Sequence, residues 1–333
     1  MARASTTFQE IPRHGKPAII VRSFGWAMLF LLAAYLINNV LVVWFDFPGL
    51  RGLGGEDNAR ALIEAGLFIV AILAGIGVVI ASRDLSLRWD AHRVHMFNRY
   101  LARALFWSVF LVGIGDATIA FLRTESLIDP LFGEAAARNL ARANWTGSHV
   151  HTVLIAAGFV IAAFTRSLSF IWLSLLIVLA ELLIVISRFV FSYEQALMGD
   201  LVRYWYATLF LFASAYTLYD EGHVRVDILY AGLNRRTKGL LNAVGSVLLG
   251  MTTSWVILFV ALNGPQSIVN APVRNFEISQ AGPFGMYVKY QMAAFIALFG
   301  VSMLIEFVSY FFNSVADMRD EPGHREPSQA SAH

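Results

Sequence analysis

Four carboxylates stand inside long apolar runs: Glu64, Asp116, Glu181 and Glu306. An ionisable group at membrane depth needs a partner or a purpose. Two kinds of chemistry are open to these four. One is an ion or proton relay; the other is a hydrogen bond packed between helices or against a partner subunit. Asp116 and Glu181 lie well inside their runs. Arg188 follows Glu181 by seven residues, on the same helical face. That is about 10 Å of rise, too far for a direct bond, so each needs another partner.

The eight histidines raise a second chemistry. His149 and His151 open one apolar run, and His92 and His95 lie in a basic arm. Axial haem ligation needs two imidazoles facing each other. Residues two apart on a helix point in different directions, and the histidines read as interfacial. A haem-anchoring membrane redox subunit is therefore kept only as an alternative, and no cofactor is expected. No acidic residue stands at a metal-ligand spacing from a histidine, so no metal site is expected either. The chain has no cysteine, which removes thiolate catalysis and iron–sulfur ligation. Gly52, Gly54 and Gly55 lack the Lys-Ser/Thr of a phosphate loop. There is no Gly-x-Ser-x-Gly elbow. The expectation is a non-enzyme.

The elements that must position these groups are membrane helices. Of 333 residues, 57% are hydrophobic and 14% charged, where soluble domains are nearer one-quarter charged. Mean hydropathy is +0.61. A crossing helix needs roughly 20 apolar residues. Eight runs qualify or come close: 25–45, 61–82, 102–122, 148–165, 169–190, 203–220, 239–262 and 288–312. The first is too long for a signal peptide's apolar region and lacks a small-x-small cleavage site, so it reads as an uncleaved span. Residues 166–168 predict a tight hairpin, with one long tilted or broken helix as the competing reading.

Basic residues set the orientation. An N-in, C-in chain puts fifteen Lys and Arg residues in 1–24, 83–101, 166–168, 221–238 and 313–333, against nine on the other side. The surplus reads as membrane asymmetry rather than nucleic-acid binding. Trp26, Trp44, Trp107, Trp145, Trp172 and Trp205 fall near helix ends, as interfacial anchors do. The fold class is thus an all-α integral membrane protein of about eight transmembrane helices, N-in/C-in, with interfacial amphipathic arm helices. Glu134 to Asn144 predicts a short outer surface helix, and the small residues of 66–78 predict close helix packing. The tail from Ala316 is polar and reads as disordered.

The arms 92–99 and 223–235 both begin with His and Arg and continue amphipathically. Each follows two spans and precedes two. This predicts an ancient duplication of a four-span unit; a generic basic interfacial helix would look the same.

One string is more specific. Ser187, Arg188 and Phe189 end the fifth run. The sixth runs into Glu221, Gly222, His223, Val224, Arg225, Val226 and Asp227, with Arg235, Arg236 and Lys238 downstream. Glu277, Ser279, Gly282 and Lys289 follow in an E-x-S-x-x-G…K arrangement. Over residues 169–312 the chain resembles the small membrane subunit (DctQ type) of tripartite ATP-independent periplasmic (TRAP) transporters. The family's acidic pair before its second span is represented only by the separated Glu194 and Asp200.

The resemblance implies a domain order of a cytoplasmic segment 1–24, a four-helix extension 25–168, a DctQ-like domain 169–312 and a tail 313–333. It implies a scaffold for a large permease subunit (DctM type), fed by a periplasmic substrate-binding protein. Such systems sit in the bacterial inner membrane and import organic acids, usually with sodium. Arg188, Gly222, His223, Arg225, Asp227, Glu277, Ser279 and Lys289 then carry structural or interfacial roles, the arm resting on phospholipid headgroups. A stand-alone ion-coupled secondary transporter using Asp116, Glu181 and Glu306 is the first alternative.

Overall fold

The computed structural model describes residues 11–166, 170–219, 230, 232–279 and 281–324. Long apolar runs cannot leave backbone polar groups unpaired in hydrocarbon, so they become helices. Eleven helices are used here: α1 (Ile19–Trp44), α2 (Asn58–Ala81), α3 (Leu87–Thr124), α4 (Ile128–Phe132), α5 (Glu134–Leu140) and α6 (Ala143–Phe164). They continue with α7 (Phe170–Phe191), α8 (Ala196–Tyr219), α9 (Arg235–Ala261), α10 (Asn270–Arg274) and α11 (Lys289–Met318).

Among the described residues, seven helices are long and apolar enough to cross a membrane: α1, α2, α3, α6, α7, α9 and α11. The eighth expected span falls on α8. Its 24 residues suffice in length, but Asp200, Arg203 and several Tyr, Thr and Ser residues make it less apolar than the others. The expected outer helix is α5. The helix before the expected hairpin does end, with Thr165 extended after Phe164; the turn itself lies largely outside the described residues.

The first basic arm is not a separate helix. It is the opening of α3, whose 38 residues reach about 57 Å, well beyond about 30 Å of hydrocarbon. The second arm at 221–229 lies outside the described residues, and with it Gly222, His223, Arg225 and Asp227.

The chain forms two compact units, and each draws on both sides of residue 168. Unit 1 comprises residues 1–98, 217–255 and 303–333. It packs Leu32 of α1, Val79 of α2, Leu87 and Val94 of α3, and Leu304, Val308 and Phe312 of α11, all buried. Gly75 of α2 meets α1 so closely that an added Cβ would stand 2.7 Å from the Ala27 backbone. Close packing within 66–78 is therefore realised at Gly75, while Gly66 and Gly77 face open space.

Unit 2 comprises residues 99–216 and 256–302. Its core joins Phe106, Val109 and Val112 of α3, Leu173 of α7, Tyr204, Trp205 and Phe212 of α8, and Phe295 of α11. Gly158 of α6 plays the part of Gly75 here: a Cβ there would lie 2.5 Å from Ser108 N of α3.

Candidate functional site: buried polar clusters

In unit 2, Asp116 and His151 are both fully buried. His151 closes a π-helical stretch, Thr146–His151, inside α6. Such bulges re-aim side chains and often mark functional sites. The Tyr287 backbone N–H donates to Asp116 Oδ2 at 2.6 Å. His151 Nε2 stands 3.2 Å from Asp116 Oδ1, although the pair is not aligned as a hydrogen bond.

His151 Nδ1 faces Tyr290 OH at 2.9 Å and Gln291 Nε2 at 3.0 Å. Both can donate, so Nδ1 is the acceptor and the ring proton belongs on Nε2, toward Asp116. Gln291 Nε2 also donates to Tyr290 OH at 3.0 Å, and Tyr204 OH donates to Gln291 Oε1. One chain of bonds thus ties α6, α8 and α11, with Asp116 of α3 beside it.

Around it, Asp200 accepts from Met286 N at 3.0 Å and Ser279 Oγ at 3.3 Å. Arg123 donates to the carbonyls of Pro283 and Gly285, both at 2.6 Å, and lies 3.9 Å over the Tyr287 ring. Burial raises the Tyr287 hydroxyl above its ordinary range; Arg123 lowers it and Asp116 raises it further. Lys289 Nζ pairs with Glu277 Oε1 at 2.5 Å, and Tyr290 N donates to Glu277 O at 3.1 Å. Glu277 and Lys289 therefore close the preceding loop onto the start of α11, and Ser279 ties it to Asp200 of α8.

Unit 1 is held by full charges. Arg22, fully buried, donates from Nε to Asp90 Oδ2 at 2.7 Å, and to Ser82 O and Oγ at 2.5 and 3.0 Å. Trp26 Nε1 donates to the same Asp90 oxygen at 3.0 Å. Arg88 donates to Asp317 at 2.5 Å and to Asn313 O at 3.2 Å. Arg235 and His324 also reach Asp317 Oδ1, at 3.3 and 2.7 Å.

Gly15 N donates to Asp84 O at 3.1 Å, and Ser86 N to Arg13 O at 3.0 Å. Described parts of four segments expected on one side, 1–24, 83–101, 221–238 and 313–333, thus meet at one end of unit 1. Deeper, Glu306 accepts from Asn98 Nδ2 at 2.9 Å and faces His95 Nδ1 at 3.0 Å.

These contacts correct the reading of the histidines as interfacial. His95 and His151 are buried, each beside one of the carboxylates singled out in the sequence. The signal available was a carboxylate and a histidine at similar depth in different runs. Arg22 and Arg88 were counted only as flanking charges, Asp90 was not singled out, and their pairing went unseen.

The other carboxylates stand apart. Glu64 is fully buried with the Gly49 backbone and the Asn38 side chain facing it, though no described residue meets full hydrogen-bond geometry with its carboxylate. Glu181 is exposed on α7. Arg188, also exposed, lies 3.5 Å from Glu194. Among the described residues, no group of three or more His, Cys, Asp or Glu is placed to hold a metal ion.

Residues 175–315 match the family model described as "Tripartite ATP-independent periplasmic transporters, DctQ component". Neither a curated protein nor a solved structure gives a significant match.

Proposed function

Because residues 175–315 match the family model of the DctQ component, we propose that this chain is the small membrane subunit of such a transporter, enlarged at its N-terminus, and that it acts as a scaffold. Its partners are a large permease subunit that moves the substrate and a periplasmic protein that delivers it. The cargo class is organic acids, the coupling ion sodium and the location the bacterial inner membrane. The chain lies N-in/C-in, a topology supported by the meeting of the basic segments at one end of unit 1.

One observation beyond the family carries the scaffold role. Asp116 and Glu306 are spent on fixed ties between helices. Asp116 is held by a backbone N–H, and Glu306 by Asn98 beside His95. A relay carboxylate must exchange partners during transport, whereas these two join residues outside the family match to residues inside it. The extension is thereby built into the frame.

Tagged chain, purified from native membranes in mild detergent, should bring a large multi-span permease in fixed ratio, identified by mass spectrometry. Substrate uptake by this chain alone in proteoliposomes would overturn the reading and favour a stand-alone transporter.

A further inference from the structure

Helix α7 is the least covered of the seven apolar helices, with only 11% of its apolar window buried. One face packs inward through Leu173, Leu176, Ile177 and Ala180. Beside that face runs a polar line: Ser174, Glu181 and Arg188, spaced seven apart. Seven residues complete about two turns less 20°, so the three stay on one stripe. Glu181 is near the centre of the 22-residue helix, and so near mid-bilayer.

Asp116 and Glu306 have internal partners. Glu181 is exposed and has no hydrogen-bond or ion-pair partner among the described residues. A carboxylate facing hydrocarbon at that depth is costly and as a rule faces protein. Among the described residues, Arg188 has a loose, exposed contact to Glu194 and lies 6.0 Å over the Phe189 ring. A heptad-spaced stripe suits a neighbouring membrane helix crossing at about 20°.

We propose that α7 docks a transmembrane helix of the large permease subunit along the Ser174–Glu181–Arg188 stripe. The partner helix places a hydrogen-bond donor or cation opposite Glu181 at mid-bilayer, and an acceptor opposite Arg188. The exposed Glu181 calls for a protein occupant rather than lipid, which offers nothing to a carboxylate at that depth, and the family match supplies the large subunit as that protein. The inference rests on the scaffold reading and adds the surface and its chemistry.

The test uses the full chain co-expressed with a tagged large subunit. A photo-crosslinking residue replaces Val178 or Val185, which flank Glu181, and Val256 or Val260 on α9 as controls; all four are exposed. Adducts to the large subunit are expected from Val178 and Val185 and not from the α9 positions. Adducts only to lipid, only to a second copy of this chain, or only from α9 would overturn the proposal. Capture of the large subunit by the unsubstituted chain is scored separately. If capture succeeds and α7 gives no adduct, the stripe is wrong and the scaffold reading stands; if capture fails, both fall. Glu181→Leu should lower recovery of the large subunit about three- to tenfold, the span expected for one interhelical hydrogen bond. Unchanged recovery would also overturn the proposal.

Discussion

Both units stitch the N-terminal extension to the family-matched segment or the residues just after it, but with different chemistry. In unit 1 the tie is a guanidinium on a carboxylate, Arg88 on Asp317, with Arg235 on the same Asp317 and, within the N-terminal part itself, Arg22 on Asp90. Unit 2 uses two buried carboxylates, Asp116 and Asp200, each on a backbone N–H, with a histidine and a run of Tyr and Gln side chains. The difference follows the charge bias of the sequence. Unit 1 gathers segments rich in Lys and Arg, so the residues that signal orientation are also available as ties. Arg22 and Arg88 do both jobs, and neither is a surface charge. At the start of α11 in unit 2, Arg123 and Lys289 hold the preceding loop, while neutral donors fasten the buried Asp116 and Asp200.

The two chemistries should fail differently. The largest loss is expected in unit 1. Arg22→Met leaves buried Asp90, for a cation, with only the long, half-exposed contact to Arg93 at 4.0 Å, which should cost about 3–5 kcal/mol. Unfolding of the detergent-solubilised protein by SDS or heat would measure it. Adding Asp90→Leu should recover most of the loss, because the orphaned charge goes too.

Close packing should not distinguish the units. Gly75→Leu and Gly158→Leu each force a side chain against the backbone of a neighbouring helix. Each should cost about 1–3 kcal/mol or somewhat more. A near-neutral result in one unit alone would mean that its helices do not approach as described.

A smaller effect belongs to the unit 2 chain. Asp116→Asn keeps an oxygen for Tyr287 N but weakens the acceptor facing His151, and should cost about 1–2 kcal/mol. A loss as large as that of Arg22→Met would erase the contrast between charged and neutral fastening.

The smallest effect is a pH dependence of the segment after α11. Burial raises the Glu321 carboxyl above its ordinary range, with Arg319, Arg88 and Lys16 pulling it back. Its folded pKa therefore exceeds its unfolded one. The contribution to docking is whole below the ordinary carboxylate pKa and is lost as pH rises through the raised folded value. Amide exchange in 319–324, corrected for intrinsic rates, should show more protection at mildly acid pH than at neutral pH. Glu321→Gln should flatten that profile.

The spans were legible because hydrocarbon imposes a length and a composition on any segment that crosses it. α8 was the marginal case for the same reason, since its Tyr, Thr and Ser residues dilute the apolar signal. The carboxylates were legible as residues that need partners. Their partners were not, because the pairing is long-range: His95 meets Glu306 across 211 positions, and Gln291 meets His151 across 140. No helical or strand period links such residues. The arm at 92–99 looked interfacial because its charges dominate the pattern, yet His95 and Asn98 turn inward from the same helix. The E-x-S-x-x-G…K string was visible as a motif, but its loop-closing role needed Lys289 and Asp200 in place.

The central claim is that the intramembrane carboxylates Asp116 and Glu306 are fixed ties rather than an ion path. The most direct measurement is ion-dependent uptake by the assembled transporter carrying Asp116→Asn and Glu306→Gln together, normalised to the amount of complex recovered. The account predicts less complex, but unchanged uptake and unchanged ion dependence per complex. Intact complex with ion coupling lost would contradict it and make these carboxylates part of the transport path.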